Sequence, residues 1–321
     1  MISRREFLPL AGAGVLSGYA GFKGGRSGRP DRTGRAAVAI VKAATYSVDL
    51  ESRMLQGIAE LKLDVRGLKV LLKPNLVEFD ARTCINTDVS MVAAAYDVFT
   101  KLGAAEVVIG EGPGHRRDTY ALAEMARYRG DISRFDARFV DLNRDDVSPV
   151  VGFADRGELY FPNTALRADL IVSLAKMKTH HWAGATLSMK NFFGLVPGCV
   201  YGWPKNELHH IGIEESIVEL SRIFRHSFAI VDGVVGMQGN GPIQGSPKPA
   251  GVMVMGSDLP AVDATCCRIM GIDPAKVLYL TMAADRLGVT DETRIEQRGE
   301  AIRAVRTNFD LMPAFADYRL V

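Results

Sequence analysis

From residue 36 onward, short apolar runs rich in β-branched residues alternate with stretches whose apolar positions recur at helical spacing. This alternation constrains the fold more than any other feature, because parallel strands need a long crossover between them, usually a helix. The strand candidates are AAVAIVKA (36–43), KVLLKPN (69–75), EVVIGEG (106–112), RFVDLN (138–143), ADLIVSLAK (168–176), FAIVDG (228–233) and AGVMVMG (250–256). Helical spacing covers 51–63, 87–103, 119–129, 181–193 and 213–224, and further helices are expected near 259–270 and 274–287. Thr87 or Asp88 is placed to cap the second helix, and Gly103 to end it. Residues 149–163 read as a small β-hairpin insertion, turning near Asp155, Arg156 and Gly157. The strands are almost continuously apolar, the pattern of a sheet covered on both faces. The expectation is an α/β fold: a mainly parallel sheet with helices on both faces, a Rossmann-like three-layer arrangement. It would form a single domain over 36–290, with 291–321 as its C-terminal extension.

The first residues follow another pattern. Ser3-Arg4-Arg5-Glu6-Phe7-Leu8 precedes a short run of small apolar residues. A charged start and a short apolar run make a secretory signal, and the paired arginines before Phe-Leu resemble the twin-arginine type. The run is too short and too rich in glycine for a stable membrane span. Residues 1–22 are therefore expected to be a twin-arginine-type signal and 23–35, rich in Gly, Arg and Pro, a flexible linker. That predicts an exported, periplasmic or extracytoplasmic protein that meets the twin-arginine export machinery.

The formal net charge is +2, and no stripe of Lys and Arg interleaved with aromatics occurs, so nucleic acid is not an expected partner. With 47% hydrophobic residues in 321, a sizeable core is available. The four cysteines, Cys84, Cys199, Cys266 and Cys267, contain no Cys-x-x-Cys pair, so no iron–sulfur cluster is expected, and sequence does not pair them.

The strand ends carry the functional signal. They read Lys73-Pro74-Asn75, Glu111-Gly112-Pro113-Gly114-His115, Lys176-Met177-Lys178-Thr179-His180 and Asp232-Gly233. Ligands of open parallel sheets bind beyond the carboxyl ends of the strands. Four such ends offering Lys, Asn, Glu, His and Asp outline a pocket with apolar walls and convergent polar groups. Thr179 is placed to cap a helix beginning at His180 or His181, whose N-terminus would join Lys176 and Lys178 in an anion site and keep the imidazoles neutral. A competing reading has Lys176 and Lys178 pair with Glu111 and Asp232 and only tie strand ends together. Ser173-Leu174-Ala175-Lys176 and Lys178-Thr179-His180 imitate serine-hydrolase motifs but overlap on one strand, and neither a Walker loop nor G-x-G-x-x-G is present. His209 and His210, adjacent in sequence, read as a solvated pair.

In order and spacing, KVLLKPN, VVIGEG, DLIVSLAKMKTH…TLSMKNFFGLVPG, AIVDGVVGMQGNGP and GSDLPAVDATCCRIMGIDP resemble the family called domain of unknown function 362. Members are bacterial and archaeal, and many carry twin-arginine signals. Some carry a ferredoxin-type four-cysteine module, which this sequence lacks. The resemblance implies no particular reaction but points to Lys73, Asn75, Glu111, Lys176, Lys178, His180, Lys190, Asn191 and Asp232. Two readings follow. In the first, an exported enzyme holds an anionic small molecule, a carboxylate or phosphate, on Lys73, Asn75, Lys176, Lys178, Lys190 and Asn191. Glu111, His180 or Asp232 would then be the catalytic base or ligate a divalent metal. In the second, a non-catalytic periplasmic carrier or maturation factor serves a cofactor or redox partner.

Overall fold

The computed structural model describes residues 34–114, 118–154 and 156–320. The expected signal, nearly all of the linker, His115 and Asp155 lie outside the described residues. The strands are β1 (Ala36–Lys42), β2 (Lys69–Pro74), β3 (Glu106–Glu111), β4 (Phe139–Asp141), β5 (Val147–Val151), β6 (Glu158–Pro162), β7 (Leu170–His180), β8 (Gly184–Thr186), β9 (Ser227–Gln238), β10 (Ser246–Gly256) and β11 (Ile295–Gly299). The main sheet runs β11-β1-β10-β9-β7-β2-β3-β4, with β8 paired to β7. β9, β7, β2, β3 and β4 are mutually parallel, in registers such as Lys176 opposite Asp232 and Lys73 opposite Ser173. The four strand ends singled out by sequence therefore share one edge of an α/β fold.

β10 departs from the parallel pattern and runs antiparallel to both β9 and β1. Only residues 239–245 separate β9 from β10, too few for a crossover, so the pair closes as a hairpin. β5 and β6 form the small hairpin. β11, from the C-terminal segment, adds an edge strand parallel to β1.

Helices α1 (Leu50–Leu61) and α2 (Val89–Lys101) pack on one face, and α3 (Ile213–Ile223) and α4 (Leu259–Ile269) on the other. Local chemistry sets their ends. The Asp49 carboxylate accepts the Ser52 N–H and the Asp88 carboxylate that of Ser90, each satisfying an orphan donor of the first turn. Thr87 is not the cap: its hydroxyl donates to Leu174 O at 2.6 Å and so ties the start of α2 to the middle of β7. The expected helix over 274–287 is instead a 3₁₀ turn, Pro274–Lys276, and a short helix, Leu278–Ala283.

The expected helix over 181–193 is absent. β7 runs on to His180, turns at Gly184 (φ +74°), pairs with β8 and then enters a 3₁₀ helix, Lys190–Leu195. Two tertiary contacts override the helical spacing. β8 hydrogen-bonds back onto β7, and the buried Asp263 of α4 takes the N–H groups of Ser188 and Met189 at 2.8 and 3.1 Å. All four cysteines are free thiols, with Cys266 and Cys267 buried in α4. Among the described residues no helix is long and apolar enough to cross a membrane.

Candidate functional site

The shared carboxyl edge opens into a cavity of about 670 Å³, lined on its floor by Lys73, Asn75, Glu111, Lys178, His180, Lys190 and Asn191. Seven of the nine residues singled out by sequence are thus brought together. Lys176 and Asp232 are not among them. Lys176 Nζ lies 2.9 Å from Asp232 Oδ2 and 2.7 Å from the Tyr46 hydroxyl, which itself donates to Asp232 at 3.0 Å. The N–H groups of Asp88 and Val234 complete the carboxylate's shell. This pair ties β7 to β9 and leaves neither group free to meet a ligand, so for Lys176 the strand-tying reading describes the geometry.

At the cavity floor, Lys73 Nζ donates to Glu111 Oε2 at 2.6 Å, to Pro74 O and to Asn191 Oδ1. Glu111 also accepts the Leu76 and Gly112 N–H groups. Asn191 is fully used, with Nδ2 donating to Lys73 O and to Ser173 Oγ. The backbone must pass very close here. A Cβ on Gly194 would collide with Glu111 Oε1 and Lys73 Nζ, so glycine is required for clearance.

Three further lysines reach the cavity without a carboxylate partner among the described residues. Lys178 Nζ donates to three neutral oxygens, Asn75 Oδ1 at 2.7 Å, Ile85 O at 2.9 Å and Pro242 O at 3.3 Å, so an anion meeting it would replace the longest of these bonds. Burial, then neighbouring Lys176, pulls its pKa down to about 7. Lys190 lies 3.7 Å over the Phe193 ring, a cation–π contact, and burial lowers its pKa to about 8. Lys205, which sequence reasoning missed, is buried with its ammonium donating, among the described residues, to Gly112 O alone, and burial lowers its pKa to about 7. Nothing around Lys205 in sequence marks it. It comes from an irregular loop, at left-handed φ +64°, and only the fold sets it beside β3.

The two histidines take opposite tautomers. His180 Nδ1 accepts the N–H groups of Trp182 and Ala183 at 3.0 and 3.1 Å, so its proton is on Nε2. His181 Nδ1 lies 2.6 Å from Gly241 O, a carbonyl that can only accept, so the lone pair of a neutral His181 is on Nε2. His180 is thus a hydrogen-bond donor and His181 an acceptor, with rings 5.0 Å apart. A metal at His180 Nε2 would require the opposite tautomer, whose Nδ1–H would face two backbone N–H donors. His180 is held neutral, but burial, followed by the positive Lys190, is the cause rather than a helix N-terminus. Among the described residues no three His, Cys, Asp or Glu side chains come together to hold a metal ion. His209 is exposed, as expected, yet it lines the cavity mouth with Trp182. Thr186 Oγ1, also on the lining, is buried and has no hydrogen-bond partner among the described residues.

Comparisons with known proteins bear out the family resemblance. The model of a family described as Domain of unknown function (DUF362) matches residues 70–268. A thylakoid-associated protein of Synechocystis is 30% identical over 230 residues, covering 70% of this chain and 69% of that protein. Among solved structures, the lactate racemase apoprotein from Thermoanaerobacterium thermosaccharolyticum aligns with a TM-score of 0.49 and 14% identity over 73% of this chain. The chain spans 57% of that structure's length. A Thermotoga maritima protein aligns with a TM-score of 0.38 and 15% identity over 67% of this chain and 58% of that one.

Proposed function

Because the chain belongs to the DUF362 family, whose description assigns no reaction, we propose from the site alone that it binds an anionic small molecule, a polycarboxylate or phosphate, at the carboxyl edge of the sheet. One observation carries this reading. Lys178, Lys190 and Lys205 line a single cavity and, among the described residues, none of them forms an ion pair with a carboxylate, while Lys73 and Glu111 pair with each other. Holding two buried ammonium groups and the half-buried Lys190 without ion-pair partners is costly, and an anion bridging them restores the balance. Thr186 Oγ1 and His180 Nε2 add donors for the same ligand.

The opposed tautomers favour catalysis over simple carriage. His181 Nε2 can take a proton from a bound substrate, while His180 Nε2–H, neutral, donates a hydrogen bond that polarises an oxygen of the same substrate. In this reading Glu111, engaged by three donors, positions Lys73, and the base is His181. With the twin-arginine-type start, the protein acts outside the cytoplasm.

Thermal stability with and without phosphate, sulfate, citrate and tricarballylate tests the binding reading. Each charge-assisted contact contributes roughly 1.5–3 kcal/mol, about ten- to a hundredfold in affinity. Multivalent anions should raise the melting temperature of the parent, and Lys178→Met should remove most of that rise. No stabilisation of the parent by any anion would refute it.

A further inference from the structure

The cavity is larger and more apolar than an inorganic anion requires. About 670 Å³ lies within the roughly 300–1,000 Å³ that encloses a drug-sized molecule. Leu208, Ile213, Pro242 and Ile243 line it alongside the lysines. On the same lining stands Trp182, 59% exposed, so much of its indole is open to the cavity mouth and to solvent. The rings around it are histidines: His181 meets the indole at 4.6 Å and 76°, His209 at 5.8 Å and 83°, and His180 at 6.3 Å and 53°. Each contact is edge-on or tilted. Among the described residues no ring lies parallel to Trp182, so a face of the indole is left for a planar partner.

We infer that the ligand is not a bare anion but a planar aromatic or heteroaromatic ring carrying anionic groups, the ring stacked on Trp182 at the cavity mouth and the anion on the lysines of the floor. This deepens the anion-binding reading and rests on it. The ring lies against an apolar wall and an aromatic face, and His181 and His209 frame it edge-on. Its charged substituents reach Lys178, Lys190 and Lys205, with Thr186 Oγ1 as a further donor.

Matched pairs of probes separate the two ideas. Benzene-1,3,5-tricarboxylate and tricarballylate carry three carboxylates with and without a ring, and 1-naphthyl phosphate and inorganic phosphate make the same comparison for phosphate. Binding is measured by calorimetry on the parent and on Trp182→Leu, whose side chain is exposed and whose loss spares the core. The ring-bearing member of each pair should bind about three- to tenfold more tightly to the parent. It should also quench fluorescence assigned to Trp182 by comparison with the variant, since Trp203 is the chain's other tryptophan. In Trp182→Leu the preference should vanish while the ringless anions bind as before. Equal affinity within each pair on the parent would overturn the ring and leave anion binding standing, as would a preference that survives in Trp182→Leu. Failure of every probe to bind the parent would overturn both.

Discussion

Replacing Lys205 by Met separates a functional lysine from a structural one. Its ammonium is buried with one acceptor, Gly112 O, and burial lowers its pKa from 10.5 to about 7. Such a depression corresponds to roughly 5 kcal/mol against the charged form in the folded protein. Losing the bond to Gly112 O offsets about 1.5–3 kcal/mol of whatever the substitution gains. Methionine fills similar volume without a charge, so at about pH 6.5 the variant should be more stable by on the order of 2 kcal/mol, a rise of roughly 4 °C in melting temperature. The sign follows from linkage. A lysine depressed in the folded state makes the protein less stable wherever it must be charged, and that deficit fades as pH rises from about 7 toward 10.5. The difference between variant and parent should therefore shrink at alkaline pH. Calorimetry without anion at two pH values, with tricarballylate titrations beside it, measures all of this. The reasoning predicts a more stable variant that binds tricarballylate at least about tenfold more weakly. A variant that melts earlier than the parent at pH 6.5 and binds the anion unchanged would refute it and make Lys205 a structural tie to β3.

The other expectations concern distinct parts of the molecule. Anion affinity of the parent should fall by at least about tenfold between pH 6 and pH 9, because Lys178 and Lys205 lose their charge as pH passes 7; a flat profile in calorimetric titrations would argue against both as ligands. Gly194→Ala should destabilise the protein by about 1–3 kcal/mol or more in urea unfolding, since its Cβ would be driven into the Lys73–Glu111 pair. Lys176→Met leaves Asp232 buried without its cation, so it should cost about 3–5 kcal/mol in the same assay, and a loss under about 1 kcal/mol would argue against the strand-tying role. Substituting Lys for both Arg4 and Arg5 should retain the precursor in the cytoplasm, checked by cell fractionation; normal export of the double variant would exclude the twin-arginine route.

What could be inferred from the chain alone is what depends on neighbours in sequence. An apolar run of five or six residues buries on both faces wherever it sits, so the strands near 69, 106, 168 and 228 and their polar ends were legible. Parallel alternation then sets those ends on one edge, which brings Lys73, Asn75, Glu111 and Lys178 within reach of a single cavity. The apolar spacing after His180 suits a helix, whereas pairing of β8 with β7 and capture of the Ser188 and Met189 N–H groups by Asp263 decide its backbone. Partner choice was beyond local reasoning as well. Lys73 meets Glu111 across 38 residues, Lys176 meets Asp232 across 56, and Lys178 meets only neutral oxygens. Lysines two apart on one strand thus have opposite electrostatic fates, one paired with a carboxylate and one held by neutral oxygens. Periodicity is a property of a segment, and it determined the sheet. Charge compensation is a property of the space around a side chain, and only the packing of β2, β3, β7, β9 and the loop bearing Lys205 against one another decided which cations remain unbalanced.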